Sequence, residues 1–260
     1  MEGDVTPLGL AASLAAVAVA AGLSLALHLG LERRIVWATV RALVQLLLVG
    51  FALGLVIEPG RPLVWSWLWV LGMTAYAGFV VHQRAPEIPG LLPLAMTAFA
   101  ASGVVTLGVV FGLGVFPLEP RVLVPIAGMM IGNSMTACVV AARRVVEQLR
   151  DQADEVEARL ALGQPSSQAS RPYVAAALRT ALTPQIETTK AVGLVFLPGA
   201  MTGLILAGID PVDAVLVQAA VMFLILGAAA TTTSVVGLGL SRRLFTDDHR
   251  LVTLLRPVEG

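Results

Sequence analysis

The stretch "GMMIGNSMTACVV", residues 128–140, decides how this chain is read. It sits in an apolar run long enough to cross a bilayer, yet Asn133, Ser134 and Thr136 occupy its middle. Hydrocarbon offers no water to satisfy an amide, and an unpartnered polar group there costs on the order of a few kcal/mol. Either a neighbouring helix bonds Asn133 or the residue lines a path that is sometimes wet. Both alternatives stay open on the sequence.

Composition supports the membrane setting. Hydrophobic residues make up 57% of the 260 and charged residues 13%, against roughly a quarter charged in soluble domains. The formal net charge is zero, so bulk electrostatics points neither to nucleic acid nor to an acidic surface as a partner. A single cysteine, Cys138, excludes an internal disulfide framework and any multi-cysteine metal site. Lys190, the one lysine, lies in "TTKAVG", so the chain has no Gly-Lys-Ser/Thr phosphate loop and is no P-loop ATPase by itself. His28, His82 and His249 fall at span ends or in the tail, no HExxH is present, and "GNSM" lacks the closing glycine of an intramembrane serine protease motif. No catalytic set is predicted, and the chain is not read as an enzyme.

A spanning helix needs about 20 apolar residues. Seven segments qualify, at about 8–29, 35–57, 63–82, 91–115, 122–142, 191–208 and 212–240. The expected fold is an all-α polytopic membrane helix bundle, one domain over 1–260 in contact with lipid on its outer face. "MEGDVTP" is acidic where a signal peptide is basic, so the first segment is read as a retained span. Of the arginines and lysine outside the spans, fourteen fall on one side, including Arg33, Arg34, Arg84 and the seven between 143 and 190; Arg61 and Arg121 fall on the other. Cytoplasmic loops hold the excess, which puts the N-terminus outside and the C-terminus in the cytoplasm; the expected location is a plasma membrane, the bacterial inner membrane.

Residues 143–190 break this pattern. Val146, Leu149, Ala153, Val156 and Leu160 step by three and four beside a charged face with Glu155 and Arg159 at i,i+4. The spacing predicts that span five continues as one helix into the cytoplasm. "LGQPSSQAS" stops it at Gly163 and Pro165, and Ser170 with Pro172 starts a return helix. Pro184 is expected to bend the approach to span six. This hairpin is either a solvated connector or an interaction surface.

Span six, "AVGLVFLPGAMTGLILAG", carries Pro198-Gly199 in its middle, and a broken helix at membrane depth is tolerated where protein or a water-filled path surrounds it. Glycines four apart, Gly50 and Gly54, Gly108 and Gly112, Gly128 and Gly132, Gly199 and Gly203, predict close helix packing. Arg41 and Gln45 stand one turn apart in span two; Arg41 is near enough to the cytoplasmic end to reach the interface, whereas Gln45 is deeper. With Gln218 on span seven, the candidate pathway set is Arg41, Gln45, Met129, Asn133, Ser134, Thr136, Pro198, Met201 and Gln218. Spans two, five and six are expected to meet around it. Met129, Met130, Met135, Cys138 and Met201 offer soft sulfur to a metal ion, although methionine also fills cores.

The stretches "RALVQLLLVG", "MMIGNSMTA", "EARLALG" and "RTALTPQIETTKAVGLVFLPGAMTGLILAGIDPVDAVLVQ" resemble, in that order, the membrane subunit of FetB-type ABC transporters. Prokaryotic members of that family are linked to iron export and plant relatives to aluminium tolerance and nucleotide-sugar transport. "IGNSM" and "LPGAMTG" are the specific parts. The chain departs from the family in carrying Ala200 where members have methionine and Leu204 where they have glutamine, which puts the cargo in doubt. The resemblance implies a homodimer of permeases exporting iron or another metal, with ATP and magnesium held by a separate ATPase subunit. It also implies that the hairpin, through Glu157, Ala158, Leu162, Gly163 and Pro184, docks on that ATPase. A different class remains: a secondary transporter of a small solute or ion driven by a gradient, with the broken span six as its ion site. It predicts carboxylates within the spans, and these are nearly absent. A non-transporting scaffold would explain the hairpin but not Asn133, Gln45 and Pro198.

Overall fold

A computed structural model describes residues 7–58, 60–246, 248 and 250–251. The acidic N-terminal residues 1–6, His249 and Arg256 lie outside them. Among the described residues all regular structure is helical, with two isolated β-bridges. The chain divides into two compact units, Met1–Arg61 and Pro62–Gly260.

The first unit holds α1 (Pro7–Ala26) and α2 (Glu32–Val56), which pack on each other. Their turn is fixed locally. The Leu31 N–H donates to Ser24 Oγ at 3.0 Å, and that hydroxyl donates to Glu32 Oε1 at 3.1 Å. His28 takes a left-handed φ of 53° and Gly30 one of 67°, which reverse the chain within a few residues.

The second unit is built on two long helices, α5 (Pro120–Asp151) and α10 (Pro211–Arg243), packed along each other. Each begins with proline at its first position, where the missing N–H has no intrahelical partner to lose. Asp210 caps α10 by accepting from the Val212 N–H at 2.9 Å. Around this pair lie α3 (Leu63–Arg84) and α4 (Leu91–Gly112), then α6 (Ala153–Ala161), α7 (Ser166–Ala169), α8 (Arg171–Ala191) and α9 (Gly199–Leu206). α4 and α8 both pack on α10, and α3 and α8 on α5. The α3–α4 loop is pinned by two arginines. Arg243 donates to the Gly90 carbonyl at 2.6 Å, and Arg143 donates to Glu87 Oε1 at 3.1 Å and to the Arg84 carbonyl. Gly90 sits there at φ +68°, a left-handed conformation that an L side chain would strain.

Five described helices are long and apolar enough to cross a membrane, α2 through α5 and α10, and α1 adds 20 residues of apolar sequence. Several expectations change. The predicted continuous helix breaks at Gln152, where φ is −112°, so that α6 is a separate element; the apolar stripe continues across the break because Leu149 and Val156 both enter the main core. Gly163, at φ +85°, and Pro165 do end the outward arm. Ser170 precedes α8 as expected, but its hydroxyl donates back to the Ser166 carbonyl at 2.7 Å and does not cap the helix. Pro184 lies inside α8, which runs on to Ala191. Segment 191–208 contains no spanning helix. Residues 192–198 form a tight turn with Gly193 at φ +85° and its N–H bonded to the Phe196 carbonyl, and α9 is eight residues, about 12 Å.

Among the described residues of each unit, the glycine pairs mostly make no close approach. Gly50, Gly54, Gly108, Gly112, Gly132, Gly199 and Gly203 have nothing within 4 Å of where a Cβ would stand; Gly128 alone of the eight meets a neighbour, Met73 Cε at 2.9 Å. Gly108 and Gly112 instead hollow an apolar groove of about 450 Å³ between α3 and α4, beside Trp67 and Leu71. Close approach occurs at Gly78 against Met96, Gly237 against Leu178 and Gly239 against Leu94. None of these three is spaced four from another glycine, so the pairwise pattern pointed elsewhere.

Candidate functional site

An α-helix turns about 100° per residue. On α5 this places Met129, Asn133 and Thr136 on one face and Met130, Ser134 and Cys138 on the other. Burial follows the division. Asn133 and Thr136 are exposed and Met129 half-buried, while Met130, Ser134 and Cys138 are buried. The open stripe of α5 is therefore amide, hydroxyl and thioether, left uncovered by the rest of its unit. Asn133 resolves half of its own desolvation locally, because Nδ2 donates to the Met129 carbonyl at 2.7 Å. No neighbouring helix is needed for that bond, and the side-chain oxygen stays available as an acceptor.

Ser134 belongs to the core instead. It is 1% exposed, its Oγ has no hydrogen-bond partner, and it is not on the open stripe. The soft-sulfur set divides in the same way. Met130 packs with Val70, Leu107 and Ala228 in one cluster, and Cys138 and Met135 belong to the main core. Met201 is buried on α9, which packs on α10. Met129 alone of the α5 sulfurs reaches the cluster of Val221, Met222 and Ile225 on α10, which Val192 and Phe116 also cover. Among the described residues no group of three His, Cys, Asp or Glu could hold a metal ion.

Gln218 is buried on α10 one turn before Met222, and its Oε1 has no hydrogen-bond partner among the described residues. Pro198 forms the N-terminal boundary of α9 with an extended ψ of 147°. Leu194 and Val195 in the preceding turn are 92% and 80% exposed, an apolar surface that the described residues of its own unit do not cover. Arg41 and Gln45 lie on α2 of the first unit, one turn apart and both exposed.

The hairpin ties into the main core. Val156, Ala169, Tyr173 and Val174 are buried in the cluster that contains Val81, Leu91 and Leu240, so α6 to α8 are held in place by the membrane helices. Arg159 donates to Glu155 Oε1 at 2.7 Å, and its guanidinium carbon lies 5.5 Å from the centre of the Tyr173 ring. The Arg159 hydrogen bond keeps the Glu155 carboxyl below its ordinary pKa. Glu157, Ala158, Leu162 and Gly163 are exposed around the tip, Leu162 by 83%. Pro184 is exposed as well, but it stands about 20 Å along α8 from that helix's start and does not join the tip.

Two features escaped the sequence reading. Met222 stands one turn from Gln218, so i,i+4 spacing alone would have found it. The segment after α10 folds back on the hairpin: Leu244 and Phe245 are buried in the main core, Phe245 bridges to Leu251, and Leu251 packs against it too. An apolar pair behind two arginines gives little warning of such a return.

The family model described as "Uncharacterised protein family (UPF0014)" matches residues 7–245. The chain belongs to this family. Similar UPF0014 relatives include the "UPF0014 membrane protein STAR2" of Oryza sativa subsp. japonica, 39% identical over 85% of this chain and 78% of the relative. The "Protein ALUMINUM SENSITIVE 3" of Arabidopsis thaliana is 36% identical over 90% and 84%. The "Probable iron export permease protein FetB" of Escherichia coli (strain K12) is 32% identical over 96% of both chains. The resemblance in "IGNSM" and "LPGAMTG" thus extends along nearly the whole chain. No solved structure matches it. With its apolar helices and its UPF0014 relatives, the protein is a multi-pass membrane protein.

Proposed function

We propose that the chain is the permease subunit of an ABC transporter of the plasma membrane, exporting iron or another metal ion with ATP hydrolysed by a separate subunit. The observation that carries this reading is the open stripe of Met129, Asn133 and Thr136 on α5, a helix whose far end leads into a core-anchored hairpin with an exposed tip. The stripe supplies ligands for a cation on its way, and the hairpin supplies a handle. A second copy of the chain covers the stripe and the exposed turn at 192–198, and the path runs between the copies. The N-terminus is outside, the hairpin cytoplasmic, and the sixth crossing is made jointly by the end of α8, the turn and α9.

In this reading the ATPase grips Glu157, Ala158, Leu162 and Gly163. Since the helix breaks at Gln152, its motion reaches α5 and α10 through the shared core at Leu149, Val156 and Phe245. Alternating exposure of Asn133 to the two sides follows. The relative FetB carries an iron-export name, and that name supports the cargo class. The experiment is purification of the tagged full-length chain from its own membrane, with its associated subunits identified. A stoichiometric subunit bearing a P-loop is expected. Its absence, together with ion-gradient-driven transport by the solitary chain in proteoliposomes, would replace this reading with a secondary transporter.

A further inference from the structure

Gln218 poses a problem that packing alone does not solve. It is 4% exposed, and its side-chain oxygen is buried with no hydrogen-bond partner among the described residues, although most buried side-chain acceptors have one. On the same face of α10, one turn on, stands Met222, 6% exposed. Met129 of the open α5 stripe packs on the Met222 cluster, and so does Val192 from the turn that interrupts the sixth crossing. The buried oxygen thus shares a helix face with a buried thioether, and a half-buried thioether at the edge of the open stripe packs on the cluster to which that thioether belongs.

We propose that Gln218, Met222 and Met129 form a transit site for a soft, reduced transition-metal ion. The inference rests on the permease reading and specifies its substrate. All three donors are neutral. A hard cation such as Mg(II) or Ca(II) takes a shell of oxygen ligands, which two thioethers do not provide, and it carries its water into an apolar cluster only at high cost. Thioethers favour Cu(I), with Fe(II) a borderline case, and an amide oxygen adds a third ligand without a fixed charge that would hold the ion too tightly to release it. Met129 gives the site its access, since it alone of the three is half-exposed and lies one turn from Asn133.

The test uses the purified full-length chain in detergent and chelator-competition titrations with three probes: Ag(I) as a redox-stable stand-in for Cu(I), Fe(II) under anaerobic conditions, and Mg(II). One Ag(I) per chain is expected, bound at least tenfold more tightly than Fe(II), with no competition from Mg(II). Met222→Leu, which keeps volume, and Gln218→Leu should each weaken Ag(I) binding at least tenfold with unchanged thermal unfolding, and Met130→Leu, in a separate cluster, should leave it unchanged. Binding by Met222→Leu equal to the parent, an equal loss in Met130→Leu, or no bound ion would overturn the proposal. Association of the same Met222→Leu chain with a P-loop subunit reports separately on the permease reading, so the two can fail independently.

Discussion

Leu162 offers the sharpest perturbation of the hairpin. It is 83% exposed at the tip, behind Gly163, while the residues that hold the hairpin down, Val156, Ala169 and Tyr173, are buried elsewhere in it. Replacing an exposed side chain away from the core changes stability by no more than about 0.5 kcal/mol. If the tip inserts into a partner, burial of this leucine contributes about 1.5–3 kcal/mol to association. Leu162→Ala should therefore weaken ATPase binding about ten- to hundredfold, and Leu162→Asp further, because a carboxylate would be desolvated in the same pocket. The assay is titration of the detergent-purified chain with the proposed ATPase subunit, alongside thermal unfolding of each variant. Unchanged affinity for Leu162→Asp would refute the assignment of the tip. A large loss of stability would show that the tip is internal to the fold.

Other outcomes follow from the packing. Asn133→Leu removes an exposed amide whose nitrogen bonds only within its own helix; stability should stay within about 0.5 kcal/mol, while metal export, read as cellular metal accumulation, falls at least tenfold. Gly239→Val drives a side chain into Leu94, where α10 and α4 touch, and should destabilise the bundle by about 1–3 kcal/mol in thermal unfolding. Gly72→Ala, with nothing within 4 Å on α3, should stabilise it by about 0.5–1 kcal/mol through helix propensity.

What the sequence made legible followed from periodicity and composition. The apolar lengths of α3, α4, α5 and α10 are physical necessities in hydrocarbon, so their existence could be read directly. The stripe of Met129, Asn133 and Thr136 was equally available, since 100° per residue fixes a face without any tertiary information. The same rule, applied fully, would have assigned Ser134 to the core, as it lies about 140° from Met129. Other features depend on partners that no local pattern encodes. Gly237 and Gly239 are small because Leu178 and Leu94 come from other helices, so the motif of glycines four apart missed them and marked an open groove instead. The break at Gln152 was invisible because the apolar stripe continues across it. The return of Leu244 and Phe245 onto the hairpin is a tertiary choice with an unremarkable sequence.

The central claim is that this polypeptide provides the gate while another chain provides the motor. Reconstitution of the purified chain into proteoliposomes loaded with metal and ATP, with and without the ATPase subunit, tests it directly. The chain alone should hydrolyse no nucleotide and move no metal, and both activities should appear together when the second subunit is added. Metal movement by the chain alone, driven by an imposed ion gradient and indifferent to ATP, would contradict the account.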